Sequence, residues 1–111
     1  MIPSGRLFDD HSPEASAEVC HDLVARPGLR IERIVSTGQA TPPGTWLQQD
    51  QAEWVVLLSG AAGLRFEGEE AERRLMPGDW LEIAPGLRHR VEWTAADEPS
   101  VWLAVHFVQE A

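Results

Sequence analysis

From Leu29 onward the chain is cut into short runs by turn residues at roughly ten-residue intervals, and few folds accept that rhythm. Leu29-Arg30-Ile31-Glu32-Arg33-Ile34-Val35 is short and β-branched, and Thr41-Pro42-Pro43-Gly44 breaks the chain after it. Glu53-Trp54-Val55-Val56-Leu57-Leu58 is a near-continuous apolar run, as expected of a strand covered on both faces, and Ser59-Gly60 ends it. Gly63 to Glu67, Trp80 to Ile83 and His89 to Trp93 alternate, separated by Gly68-Glu69-Glu70, Pro77-Gly78-Asp79 and Ala84-Pro85-Gly86. Val101 to Val108 is a long apolar final run. Six or more short strands with such turns predict an all-β sandwich or barrel.

Residues 1–28 have a different texture and read as an N-terminal extension to a barrel at 29–111. Ser12 can cap a helix, Pro13 suits its first position and Glu14 favours its positive end. Ala15, Val19, Leu23 and Val24 recur at helical spacing until Arg26-Pro27-Gly28 stops the pattern, so one short helix is expected here.

Composition removes several classes of function. At 111 residues the chain suits one domain. A net charge of −9 repels phosphate backbones and anionic lipid, so neither nucleic acid nor a membrane surface is an expected partner. No apolar run reaches the roughly 18 residues of a membrane-spanning helix. No basic stretch followed by an apolar core opens the chain, and a single cysteine, Cys20, fits a reducing compartment, so a cytoplasmic protein is expected. Nothing basic neighbours Cys20 in sequence, so it reads as inert. Phosphate-loop, Cys-x-x-Cys and Gly-x-Ser-x-Gly patterns are missing.

Two stretches resemble the cupin superfamily. Gly78-Asp79-Trp80-Leu81-Glu82-Ile83-Ala84-Pro85-Gly86-Leu87-Arg88-His89 matches the second cupin motif at Gly78, Gly86 and His89, with the proline displaced by one and Trp93 where an Asn often stands. Glu53 to Gly60 matches the end of the first motif. Upstream, where that motif has His-x-His, this chain reads Trp46-Leu47-Gln48-Gln49. The stretch from Leu29 to Val108 also looks like small single-domain bacterial cupins of uncharacterised function. The resemblance implies a jelly-roll β-barrel, or double-stranded β-helix, carrying the short N-terminal helix. It also implies a site inside the barrel, with His89 and Glu53 at metal-ligand positions and Gln48 or Gln49 replacing a histidine.

An inward carboxylate beside an inward imidazole needs a partner, because burial of a lone charge is costly. One divalent ion (Zn, Fe, Mn or Ni) would satisfy both, and a direct hydrogen bond or ion pair would do so without metal. If strand alternation holds, His89, Val91 and Trp93 share the inner face while Arg90 and Glu92 point outward. Trp46 and Trp93 are then candidates to stack on a flat or sugar-like ligand at the pocket mouth, against a plainer role in the core or at a dimer contact. His106, on the same face as Trp102 and Ala104, is a candidate ligand-binding residue or a satisfied structural one. His11 and His21 read as solvated.

Three functions remain open from the residues and the resemblance. One is a barrel that binds a small polar molecule, with or without a weak divalent ion. A second is a metal-dependent isomerase, lyase or oxygenase acting on a small sugar-like or carboxylate substrate. Three-histidine oxygenases fit poorly, since two histidine positions are empty, while some sugar-phosphate isomerases of the superfamily accept a Gln ligand. A third is a metal-free binding or regulatory module. A nucleotide cofactor is not expected, and a homodimer is, because exposed strand edges need cover.

Overall fold

The computed structural model describes residues 1–8 and 17–109. Its elements are all strands: β1 (Val19–Arg26), β2 (Leu29–Ser36), β3 (Ala52–Ser59), β4 (Ala62–Phe66), β5 (Arg73–Leu75), β6 (Trp80–Ile83), β7 (His89–Thr94) and β8 (Ser100–Phe107). They form a five-stranded sheet in the order β1-β2-β8-β3-β6 and a three-stranded sheet in the order β5-β4-β7, with antiparallel pairing throughout. This is the all-β architecture expected from the turn spacing, in the jelly-roll form that the cupin resemblance implies.

Among the described residues the expected short N-terminal helix is not formed. Its expected second half is strand β1, and Ser12, Pro13, Glu14 and Ala15 lie outside the described residues. The reason is the turn that follows. Pro27 and then Gly28, with φ at 74°, have the type II turn signature, which folds the chain straight back. β1 therefore pairs with β2 from Val19↔Val35 to Arg26↔Leu29, with one irregularity between Asp22 and Val24. Val, Cys, His and Asp are weak helix formers, so the hairpin's ladder of backbone bonds outweighs the helical spacing of Val19, Leu23 and Val24. The expected boundary at residue 28 falls within this hairpin turn.

Side chains alternate across the sheets. Val55 and Leu57 of β3, Leu64 of β4, Ile83 of β6 and Trp102 and Ala104 of β8 meet in the core. Trp102 directs its indole N–H to Ser36 Oγ at 3.2 Å, which satisfies the one polar atom it brings inside. Tight turns demand close backbone approach, most severely at Gly60. Its φ is 86°, and a Cβ there would lie 2.6 Å from Ser100 Cα and 2.8 Å from Pro99 O, so only glycine fits.

The segment between β2 and β3 is irregular, yet it closes the barrel alongside β7. Thr41 N donates to Val91 O at 2.9 Å, and Leu47 and His89 exchange backbone bonds of 2.7 and 3.0 Å. Gly86 N donates to Gln49 O at 2.8 Å. These bonds lay the Gln48-Gln49 stretch against the loop and strand that carry His89.

Candidate binding cavity

Between the sheets lies a cavity of about 310 Å³. Its walls come from β2, β3, β6 and β8 on one side and from β4, β7 and the Leu47–Gln49 segment on the other. Apolar side chains such as Ile34, Val55, Leu64 and Trp102 make much of the lining, and the polar groups gather on a few strands. An apolar cavity with a few convergent polar groups is the usual form of a small-molecule site.

His89, 4% exposed, begins β7 and faces the cavity. Its Nδ1 lies 2.9 Å from Leu87 O. A carbonyl only accepts, so Nδ1 carries the hydrogen, and in the neutral ring Nε2 presents its lone pair. Among the described residues nothing hydrogen-bonds to Nε2.

Glu53, 7% exposed, faces the same cavity from β3. Gln49 Nε2 donates to its Oε1 at 2.6 Å, so the buried carboxylate already has a partner within the protein. Gln48 also lines the cavity. The four residues expected at the metal position are thus brought to one cavity.

Their chemistry matches a divalent ion only in part. His89 and Glu53 are donors of the right kind. The amides are weak neutral donors, and one of them spends an N–H on the carboxylate. Among the described residues no group of three or more His, Cys, Asp or Glu gathers as a ligand set. A four-ligand centre of the histidine-rich type does not fit these side chains.

His106 also lines the cavity. It is 3% exposed, and its Nε2 lies 2.7 Å from Glu32 Oε1. Register places Glu53 opposite His106 on one side and Arg30 opposite it on the other. Arg30 Nη1 stands 3.6 Å from Glu32 Oε2 and 3.9 Å from Asp22 Oδ1. A polar row thus crosses three strands, from Gln49 and Glu53 through His106 to Glu32 and Arg30.

The two tryptophans expected at the pocket mouth are elsewhere. Trp46 lies between the guanidinium groups of Arg65 and Arg88, 5.2 and 5.8 Å from its ring centre. Trp93 donates to Glu72 Oε1 at 3.1 Å and lies beneath the Arg74 guanidinium. Neither ring lines the cavity. For Trp93 the cause is a bulge. Leu64 pairs with Val91, but the next residue back, Gly63, pairs with Trp93, so an extra residue enters β7 and reverses the alternation. Thr94, not Trp93, follows His89 and Val91 into the interior, and Trp93 covers Gly63 on the outer face.

Arg88 and Arg90 make outward ion pairs, with Glu67 and Glu92, both at 2.9 Å. His21 lies on exposed β1 and accepts from Arg33 Nη2 at 3.0 Å, while His11 is outside the described residues. Cys20 is on β1 at the cavity edge, not on a helix, and burial with Glu18 and Glu32 nearby raises its thiol pKa. That direction agrees with an inert thiol.

Glu18, Arg30, Glu32 and Ser36 were not anticipated as lining residues. A signal existed in β2, where Arg30, Glu32 and Ile34 are spaced by two and must share a face. Glu18 gave none, because its place depends on the hairpin. Its carboxyl is raised above the usual range, first by burial and also by Glu32, with a hydrogen bond from Ser36 acting the other way.

No family model and no curated protein sequence matches the chain. Solved structures do. A protein of Ralstonia eutropha JMP134 named "putative mannose-6-phosphate isomerase" is 50% identical, with a TM-score of 0.93 over 96% of this chain and 98% of that one. A cupin superfamily protein of Desulfitobacterium hafniense DCB-2 superposes with a TM-score of 0.73 over 97% and 90% of the two chains, at 14% identity. An RmlC-like cupin with a double-stranded β-helix fold from Methanocaldococcus jannaschii gives 0.68 over 94% of each chain, at 15% identity. With the half-motif at Glu53–Gly60 on β3 and that at Gly78–His89 running from the neighbouring β6 to the start of β7, the chain belongs to the cupin superfamily.

Proposed function

We propose that the barrel binds a small polar molecule directly, between the His89–Glu53 pair and the apolar walls around Trp102. The observation that carries this is the buried Nε2 of His89, fixed by Leu87 O and left facing a cavity with no partner among the described residues. A buried acceptor without a partner costs free energy, and a ligand donor removes that cost. The Gln49–Glu53 bond makes a resident ion unnecessary for holding the carboxylate inside.

A second reading adds a weakly held divalent ion at His89 and Glu53, completed by amide oxygens of Gln48 or Gln49 and by ligand. The locked His89 ring favours it, since metal-binding histidines commonly donate their other nitrogen to a carbonyl. The ion would act there as a Lewis acid on the bound molecule. A cytoplasmic location and a catalytic role as isomerase, lyase or oxygenase go with this second reading. The name of the Ralstonia relative is consistent with sugar chemistry and supplies no catalytic residue for this chain.

Elemental analysis of untagged protein, purified without chelator or nickel resin, separates the two. Near-stoichiometric metal lost in His89→Ala establishes the second reading. A metal-free protein whose ligand binding is abolished in His89→Ala and weakened in Glu53→Gln establishes the first. Binding unchanged in both variants sinks the site altogether.

A further inference from the structure

Fixed charge inside the cavity selects the class of molecule that the proposed binding role would serve. Three carboxylates, Glu18, Glu32 and Glu53, line it, against a single guanidinium, Arg30, among the described residues. Arg30 is already committed to Glu32 and Asp22. The chain has no lysine. Arg65, Arg73, Arg88 and Arg90 are paired with carboxylates away from the cavity. Counting His106 as a cation still leaves negative charge in excess.

Hydrogen-bond capacity points the same way. His89 is nine-tenths buried or more, and Nε2 aims a lone pair inward with no donor among the described residues. Glu53 Oε1 takes the Gln49 amide, and Oε2 takes none of the described donors. Two free groups at this end of the cavity, His89 Nε2 and Glu53 Oε2, are therefore acceptors, beside the neutral amide of Gln48, which can donate or accept. An anion would be stripped of water opposite carboxylates and meet no free cation among the described residues, which disfavours it in a buried site.

We infer that the cavity takes a small protonated amine, with its ammonium hydrogens toward Glu53 and His89, and rejects phosphate monoesters. Ile34, Val55 and Trp102 then cover the carbon skeleton. The inference rests on the binding role proposed above. It departs from the sugar phosphate in the Ralstonia protein's name.

The test is titration of the full chain, freed of metal with EDTA, followed by amide NMR. Probes are glucosamine, mannose and mannose 6-phosphate, with ethanolamine and ethylene glycol as a smaller matched pair. Each amine is expected to bind at least about tenfold more tightly than its uncharged counterpart, and mannose 6-phosphate to leave cavity residues unshifted. The preference should shrink in Glu53→Gln. It should also shrink in Glu18→Gln, which sits at an exposed edge and keeps its bond to Ser36. Mannose 6-phosphate binding as tightly as glucosamine overturns the inference and leaves the binding role standing. Equal affinity for amine and uncharged probe does the same. No shift at cavity residues with any probe at millimolar concentration overturns both.

Discussion

His106 and Glu32 lie 2.7 Å apart, Nε2 to Oε1, on neighbouring strands of the five-stranded sheet, and both are almost wholly buried. Removing one member of such a pair leaves the other inside without its partner. His106→Ala should therefore cost about 3 kcal/mol of unfolding free energy, read as a shifted urea midpoint at constant slope. A loss below about 0.5 kcal/mol would show that water or Arg30 replaces the imidazole without penalty.

Trp93 lies over Gly63 on the outer face, where a Cβ would approach its indole to 2.8 Å at Cδ1. Trp93→Ala should lower stability by about 1–3 kcal/mol, since an aromatic covering a strand glycine is lost. Ligand affinity should not change. Affinity falling while the melting temperature holds would return Trp93 to the binding site.

Gly60→Ala should be worse than Gly63→Ala. The first places a Cβ against Pro99 and Ser100 backbone at a positive φ, whereas the second meets the movable ends of Trp93 and Glu72. We expect Gly60→Ala to cost about 3 kcal/mol or more and to lower soluble yield. Comparable melting curves for the two variants would contradict the tight approach at Gly60.

Acid titration should reveal Glu18. Its folded carboxyl is raised from 4.5, chiefly by partial desolvation at the cavity edge, so folding favours the protonated form. Its contribution is fully present below the unfolded value and fades as pH rises through the folded one. Between pH 4.5 and neutrality, Glu18→Gln should thus flatten part of the fall in stability with pH. A wild-type curve unchanged by the substitution removes this assignment.

The outer face of the large sheet predicts self-association. Trp54, Val56, Leu103 and Val105 share that face, with Trp54 5.9 Å from the exposed ring of Trp80. A strand apolar on both sides reads as covered on both. Glu82, opposite Trp54 on β6, borders this face, and the apolar stretch of Trp54, Val56, Leu103 and Val105 beside it lets a second copy approach a chain of net charge −9. We propose a homodimer through it. Light scattering should give twice the chain mass, and Leu103→Arg should halve it. A wild-type monomer at micromolar concentration ends the proposal.

The barrel was readable because its turns announce themselves. Pro and Gly at fixed positions punctuate runs whose apolar alternation survives in the structure, as at Gly63–Glu67 and Trp80–Ile83. His89, Glu53, Gln48 and Gln49 were legible as cavity residues through the resemblance to the cupin motifs, and His106 through its period-two spacing from Trp102 and Ala104 on the last strand. Two failures have local causes. A bulge shifts the period by one residue, and no feature of His89-Arg90-Val91-Glu92-Trp93 marks where it enters. Residues 19–26 carry helical spacing and strand-compatible residues at once, and a nonlocal ladder to β2 decided between them. Glu18 and Cys20 could not be placed without that ladder.

Because β2 is the one strand that β1 pairs with among the described residues, the cavity's rim and its floor can vary separately. The floor, with His89, Glu53 and Trp102, is bound into the packing of both sheets and tolerates little change. The hairpin that brings Glu18 and Cys20 to the edge can vary its side chains with small consequence for folding. Substitutions in the hairpin would then retune the proposed ligand preference while leaving the scaffold intact.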